Sequence, residues 1–289
     1  MPIRGIFAMR IMTANIWGDY FGNPVSGRED NLTEVISTYS PDVIGFQEVR
    51  WTWNDSQAFA KLTADYNFIG TEKAYTGNNI PMAVKKNFVL IEKGYRQFVG
   101  TPDSSKGVTW AVLKDKTDGR VFAVCNTHFW WMTGRESDTV KELHHKYHGA
   151  IAYFTEEEHD GVRKDNAECL VRIMKRIKEE YSCPVFAFGD MNCTRAATVF
   201  TEAFAKSGVQ HLFDVAPVRD NISSMHGDPK IGEGGKCHGE MTSLDYESSI
   251  DHIVALPGGF DLLEYRVVTD RVALDMSDHS PVFVDVNLI

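Results

Sequence analysis

Cysteine is scarce. The 289 residues hold five, Cys125, Cys169, Cys183, Cys193 and Cys237, an odd number without the Cys-x-x-Cys spacing of a structural zinc site. A disulfide framework is thereby excluded as the basis of the fold, and a reducing compartment fits. No run of residues is apolar for the ~20 positions that cross a bilayer. Met1 to Met12 carries Arg4 and Arg10 but no continuous apolar region. The expectation is a soluble protein, cytoplasmic or, if a signal peptide has been removed, secreted or periplasmic. A Pro/Gly/Ser-rich linker, a charge block and an internal repeat are also missing, so residues 1–289 are read as one domain. Finally, there is no basic stripe. Lys and Arg number 30 against 40 Asp and Glu, a net charge of −10, and the basic residues are dispersed apart from short clusters such as Lys175, Arg176 and Lys178. The footprint of a protein that holds extended nucleic acid is therefore absent, although net charge does not exclude a local basic cleft.

What is present is enough apolar material for a large core: 43% of residues are hydrophobic and 11% aromatic, which excludes a disordered chain. Apolar runs predict strands over Met9–Trp17, Asp42–Glu48, Pro81–Val84, Phe88–Glu92, Val108–Lys114, Val121–Thr127, Pro184–Phe188, Ile250–Ala255, Tyr265–Thr269 and Pro281–Asn287. Asp118-Gly119 supplies a hairpin turn. Helical spacing appears over Arg28–Tyr39, Asp55–Asp65, Lys164–Tyr181 and Ala196–Lys206. Hairpins alternating with a few long helices point to mixed α/β layers and not to a doubly wound parallel sheet. The strand at Val121 is apolar without alternation and is expected to be covered on both faces.

Polar residues recur where these strands end or begin: Asn15, Glu48, His128, the pair Asp190 and Asn192, Asp251 with His252, and Asp278 with His279. Strand ends deliver side chains from distant parts of the sequence into one cleft while the buried strands fix their geometry. Any one of them alone reads as a turn former. As an ordered set they carry more weight. Asn15, Gln47-Glu48, Asn126-Thr127-His128, Gly189-Asp190-Met191-Asn192, Ser249-Ile250-Asp251-His252 and Ser277-Asp278-His279-Ser280-Pro281 resemble the endonuclease/exonuclease/phosphatase superfamily, the DNase I-like phosphohydrolases.

The resemblance spans Asn15 to Val282 and implies a four-layer αββα sandwich, two mostly antiparallel sheets flanked by helices, with its active site at one end of the sheets. It implies a divalent cation, Mg²⁺ or Mn²⁺, held by Glu48, with Asn15 beside it and Asp278 as a second acid. Asp190 would orient or deprotonate the attacking water, Asn192 would hold a phosphate oxygen or that water, and Asp251 would pair with His279. His128 is similar to the histidine of the sphingomyelinase and deadenylase branches, where abasic-site endonucleases carry tyrosine. The chemistry asks for such residues on general grounds. Hard carboxylate oxygens suit Mg²⁺, and a histidine beside a carboxylate has its ring oriented and its charged form favoured. Whether the base is Asp190 or a metal-bound hydroxide is left open.

Phe129–Val162 is longer than the corresponding connection that the resemblance implies. It is read as an insertion whose Trp130, Trp131 and Arg135 contact the leaving group. His144 and His148 have the i, i+4 spacing of helical metal ligands, but no glutamate or cysteine partner completes a zinc motif, and a solvated helix face is the plainer expectation. Trp51 and Trp53, two apart, are expected on one side of an extended segment, lining the cleft or packed in the core. Tyr75, Asn78 and Asn79 in the Gly77 loop, together with His238-Gly239, are further rim candidates. Cys193 reads as a packed small residue. The expected function is Mg²⁺-dependent hydrolysis of a phosphoester, a phosphodiester of a small molecule or lipid head group. The alternatives are a nuclease for single strands or ends and, in another class, a non-catalytic phosphate-binding module.

Overall fold

A computed structural model describes residues 8–71, 78–101 and 103–289. Tyr75 and Gly77 lie outside them. Two six-stranded mixed sheets carry the architecture. The first contains β1 (Met9–Asn15), β2 (Val43–Gln47), β3 (Tyr66–Ile69), β4 (Met82–Lys85), β13 (Phe260–Val267) and β14 (Val282–Leu288), in the order β13-β14-β1-β2-β4-β3. The second contains β5 (Phe88–Gln97), β6 (Gly107–Asp115), β7 (Val121–His128), β8 (Val185–Asp190), β9 (Gln210–His211) and β12 (Asp251–Leu256), in the order β5-β6-β7-β8-β12-β9. Two short strands, β10 (Lys230–Ile231) and β11 (Cys237–His238), form a separate ribbon.

Each sheet has one parallel pair, β1 with β2 and β7 with β8; the other pairings are antiparallel. A parallel pair needs a crossover, and helices supply it: α1 (Glu29–Tyr39) between β1 and β2, α5 (Glu156–Tyr181) between β7 and β8. Helix α1 presents Leu32, Val35 and Ile36 to the outer face of the first sheet, against Met12, Ala14, Ile44 and Phe46. Helix α5 does the same for the second, laying Leu170, Met174 and Ile177 over Ala123, Cys125 and Ala187. The opposite faces meet in a central core that includes Ile11, Val43, Phe122, Val124, Phe186, Phe188, Ile253 and Val284. This explains the apolar run at Val121: Phe122 and Val124 face the other sheet while Ala123 and Cys125 face α5.

Several expected boundaries move, each for a local reason. Helix α5 starts at Glu156, where Thr155 caps the Glu158 amide and Glu158 reaches back in a capping box. The part of the 129–162 segment outside that helix therefore ends at Thr155. It carries its own helix α4 (Asp138–His148), capped by Ser137. Trp51 and Trp53 do not share a side of an extended segment. They sit on a short helix, α2 (Trp51–Asn54), with Trp53 fully buried and Trp51 72% exposed. Residues two apart on a helix do not face the same way. The expected helix near Asp55 is α3 (Gln57–Leu62), and β13 begins five residues earlier than the apolar run suggested.

Across the first sheet, the Arg10 guanidinium is buried and gripped at both ends by Asp285, at 2.7 and 2.6 Å, with Glu264 at 3.6 Å and the Phe283 ring 4.0 Å away. Removing one partner of a buried pair strands the other charge, which costs about 3–5 kcal/mol. Asp285→Ala should lie near the lower end, because Glu264 remains. Chemical denaturation checks this, and a loss within the error of the midpoint would show that the pair contributes nothing.

Candidate active site

The parallel strands end together. β1 and β2 finish in register at Asn15 and Gln47, β7 and β8 at His128 and Asp190. Between the two sheets the polar groups of these ends interlock. Gln47 Nε2 donates to Asn126 Oδ1 at 2.6 Å, and Asn126 Nδ2 donates to the Phe46 and Pro81 carbonyls at 2.8 and 3.0 Å. Gly45 permits the approach: a Cβ there would fall 2.4 Å from the Phe188 ring and 2.6 Å from Asn126. The layer thus formed is the floor of a cleft.

On that floor, Asp190 is 2% exposed. Its Oδ2 accepts from Asn15 Nδ2 at 3.0 Å and its Oδ1 from the Asn192 amide at 2.8 Å, with His128 Nε2 at 3.4 Å from Oδ2. Burial alone would raise its pKa. The neighbouring His128, His279 and Lys106 override that and hold the carboxyl well below its usual range. From the other side, Asp251 at the start of β12 accepts on Oδ2 from His279 Nδ1 and Ser224 Oγ, both at 2.7 Å. Burial pushes the His279 pKa down, but Asp251, Asp278 and Asp190 together drive it well above the ordinary value. Donor atoms of Asp190, Asp251 and His279 converge within 4.8 Å of one another.

Glu48 is half-buried beside this group, accepting from Asn15 Nδ2 at 3.2 Å and from the Gly18 amide at 2.9 Å. Asp278 has its pKa raised to about 7 by burial and by the charges of Glu48 and Asp228, with His279 opposing. Glu48 and Asp278 are two hard oxygen donors at one place, with His279 Nε2 3.9 Å from Asp278 Oδ2, and Asp251 Oδ1 is buried with no hydrogen-bond partner among the described residues. Such a donor set fits a small divalent ion. Three residues around the cleft hold left-handed backbone without being glycine: Trp17 (φ 50°), Glu48 (φ 63°) and Asn192 (φ 50°). That conformation costs roughly 1–2 kcal/mol per residue and persists where the surroundings enforce it. It aims the Glu48 side chain off the end of β2.

Asn15, Glu48, His128, Asp190, Asn192, Asp251, Asp278 and His279 therefore gather at one end of the sheets. The expected substrate contacts do not. Trp130 is fully buried in a satellite cluster with Met132, Ile151 and Ala152, its Nε1 donating to His159 Nδ1 at 2.8 Å, so it packs and cannot touch a ligand. Arg135 is exposed and tied to Glu156 at 2.6 Å. Trp131 leans on His144, ring centroids 4.7 Å apart. His238 is exposed, near Asp275 and Arg271. No described contact links these three to the convergent group. His144 and His148 stack along α4, and no cluster of three potential metal ligands includes them among the described residues. Asn78 is buried, donating to Thr109. Cys193 is buried, and burial pushes its thiol far up, away from a nucleophilic role.

Four residues near the site escaped sequence reading. Ser224 shares Asp251 with His279. Ser277 donates to the Asn15 carbonyl at 2.7 Å and receives the His279 amide. Arg28, fully buried, donates to the carbonyls of Ile16, Trp17 and Met276, tying the two turns that carry Glu48's neighbours and Asp278. Lys106, 4% exposed, lies against His128. Serines and single basic residues outside a motif have no distinguishing sequence pattern. Only Ser277, in the Ser-Asp-His run, offered a signal.

Two sheets of this order, with carboxylate–histidine pairs at their shared end, define the DNase I-like class of phosphohydrolases. A profile described as "Endonuclease/Exonuclease/phosphatase family" matches residues 12–279, and the chain belongs to that family of phosphoric ester hydrolases. Among solved structures it is similar to an endonuclease/exonuclease/phosphatase of Bacteroides vulgatus (20% identity, 98% of this chain and 99% of the other, TM-score 0.70). It is also similar to a mannosyl-6-phosphatase of Bacteroides thetaiotaomicron (18%, 96% and 99%, TM-score 0.67). A third is D. rerio TDP2 complexed with a single-strand DNA product (15%, 97% and 99%, TM-score 0.65). At these identities the likeness is one of fold. No curated protein matches the chain in sequence. No helix among the described residues is long and apolar enough to cross a membrane.

Beneath the site, His252 is fully buried. Its Nε2 donates to the Cys193 carbonyl at 2.9 Å, and its Nδ1 accepts from His211 Nε2 at 3.0 Å, while His211 Nδ1 takes the Phe213 amide. Both rings are therefore neutral, and burial lowers the His252 pKa to about 4. The unfolded chain takes up this proton near pH 6.5 and the folded one only near pH 4, so stability falls as pH drops through that window. Thermal melts should show His252→Gln losing less on acidification from pH 6.5 to 4 than wild type. Parallel pH profiles would mean that His252 is not one of the groups responsible.

Proposed function

We propose that the protein hydrolyses a phosphoester with Mg²⁺ or Mn²⁺, acting on a phosphodiester of a small molecule or lipid head group. The observation that carries this reading is the convergence of Asp190, Asp251 and His279 in one buried cleft, with His279 Nδ1 2.7 Å from Asp251 Oδ2. A phosphodiester resists attack because its oxygens are negative, so a site must neutralise charge while presenting a water in line with the leaving group. Glu48 and Asp278, with Asn15 beside them, would hold the cation. When bound, that ion supplies Lewis-acid neutralisation of the phosphoryl oxygens and of the departing alkoxide.

The other roles belong to the chain. Asp190, with Asn15 and the Asn192 amide already fixing its two oxygens, is set to orient the attacking water. His279 places a fixed positive charge where the pentacoordinate phosphorus develops negative charge. Asn192 Nδ2, which donates to the Phe129 carbonyl at 3.1 Å, retains a second donor hydrogen for a phosphate oxygen. The small substrate is supported by the net charge of −10.

Two measurements test this reading. Purified protein should cleave bis-p-nitrophenyl phosphate with Mg²⁺ or Mn²⁺, stop in EDTA, and vary little with salt. Cleavage of single-stranded oligonucleotide that falls steeply with salt favours the nuclease reading instead. If wild type and Glu48→Ala are equally inert on every phosphoester while phosphate still binds, the protein is a binding module. Within the hydrolase reading, Asp190→Asn and His279→Ala should each lower kcat by about 10²-fold or more with the fold retained by circular dichroism. Normal turnover in either variant removes that residue from the mechanism.

A further inference from the structure

We propose that Ser224 is a positioning residue of the active site, a fully buried serine that fixes the Asp251 carboxylate and the backbone of His279 relative to one another and so aims the His279 ring. The need arises because the pair spans the two sheets. Asp251 opens β12 of the second sheet, and His279 stands three residues before β14 of the first. A ladder sets register within its own sheet, so the distance between these two segments has to be held by side chains and connecting loops.

Ser224 comes from the segment between β9 and β10, and it spends its amide, its hydroxyl and its carbonyl on those two places. The amide donates to Ser249 Oγ at 3.0 Å. The hydroxyl donates to Asp251 Oδ2 at 2.7 Å and takes the Asp251 amide at 3.3 Å. The carbonyl takes the Ser280 amide at 2.7 Å. Two residues on, the His226 amide donates to the Asp278 carbonyl at 3.0 Å, and Met225 bridges antiparallel to His279. A short antiparallel pairing thus runs along Asp278–Ser280, and its first residue also holds Asp251.

The hydroxyl decides the orientation. Asp251 Oδ2 accepts from both Ser224 Oγ and His279 Nδ1, each at 2.7 Å, while Oδ1 has no hydrogen-bond partner among the described residues. The terminal torsion of an aspartate is soft, so a carboxylate held by the ring alone pivots and the ring follows it. A second donor on the same oxygen, itself anchored to Ser249 and Ser280, removes that freedom. Without it the Asp251–His279 bond survives as a contact but no longer points Nε2 in one direction.

The kinetic arm of the test rests on the hydrolase reading; the spectroscopic arm does not. In proton–nitrogen NMR spectra the His279 Nδ1–H, assigned by its loss in His279→Gln, should appear in wild type as a resonance protected from exchange with water. Ser224→Ala should make it exchange about tenfold faster, the scale of one lost hydrogen bond. Ser224→Cys, which nearly keeps the volume but offers only a weak donor, should do the same. Absence of the resonance in wild type, or unchanged exchange in the folded variants, overturns the proposal whatever the protein hydrolyses. Failure of both variants to fold overturns it too, because the serine would then serve the fold and not the ring. On bis-p-nitrophenyl phosphate each variant should lose about tenfold or more in kcat with a smaller change in KM, as when an outer partner that orients a site group is removed. Added to His279→Ala, Ser224→Ala should make the enzyme no slower, since it acts through that ring. Losses that simply multiply, or full kcat in Ser224→Ala, contradict the assignment. If wild type cleaves no phosphoester, the hydrolase reading fails and the exchange measurement alone decides the role of Ser224.

Discussion

The amide bridge between the sheets, Gln47 on β2 to Asn126 on β7, is the contact on which the rest depends. Two apolar sheets packed face to face have no intrinsic register, because dispersion and burial are tolerant of sliding. A buried amide pair is not. Gln47 and Asn126 use their donors and acceptors on one another, on Thr13 and on the carbonyls of Phe46, Ile80 and Pro81, and a shift of a few ångströms would leave several of them unpaired in the core. The bridge therefore locks the C-terminal ends of the two parallel pairs beside each other. Asn15 from one sheet, itself donating to Glu48, then donates to Asp190 of the other.

Above that floor the charges are arranged in opposed pairs. Asp251 and His279 form a tight ion pair on the entry side of β12 and β14, while Asp190 is ionised between His128 and His279. Burying so many charges would be prohibitive if each were alone. Here each has a partner, and the excess is negative: burial, with the charges of Glu48 and Asp228, pushes the Asp278 carboxyl up to about 7 against the opposing His279. A site with surplus buried carboxylate suits a cation as its missing member. The left-handed backbone at Trp17, Glu48 and Asn192 belongs to the same arrangement, since regular strand geometry cannot turn those side chains into the cleft.

Much of this was legible in the sequence, and the parts that were not share a cause. Strands β1, β2, β7, β8, β12 and β14 are buried runs bounded by polar residues, and an ordered set of such boundaries is hard to arise without a common site. The convergence of Asp190, Asp251 and His279 follows that reading. What pattern cannot show is which side of an element faces what. Trp130 adjoins a site histidine in sequence, yet its ring turns into the satellite core. Trp51 and Trp53 looked like a strand pair because two apart is ambiguous until the backbone is known, and Arg50 and Trp51 begin a helical turn instead. Lys106 and Ser224 come from loops whose sequences carry no periodicity, so only the folded ladder places them at the cleft.

The central claim is that the cleft above the Gln47–Asn126 bridge is where phosphate and a divalent cation meet. A crystal structure of the protein grown with Mg²⁺ and inorganic phosphate tests it most directly. The account predicts the ion on Glu48 and Asp278, with a phosphate oxygen within hydrogen-bond distance of His279 and Asn192. A metal and phosphate seated elsewhere on the surface, with Glu48 and His279 untouched, would contradict it.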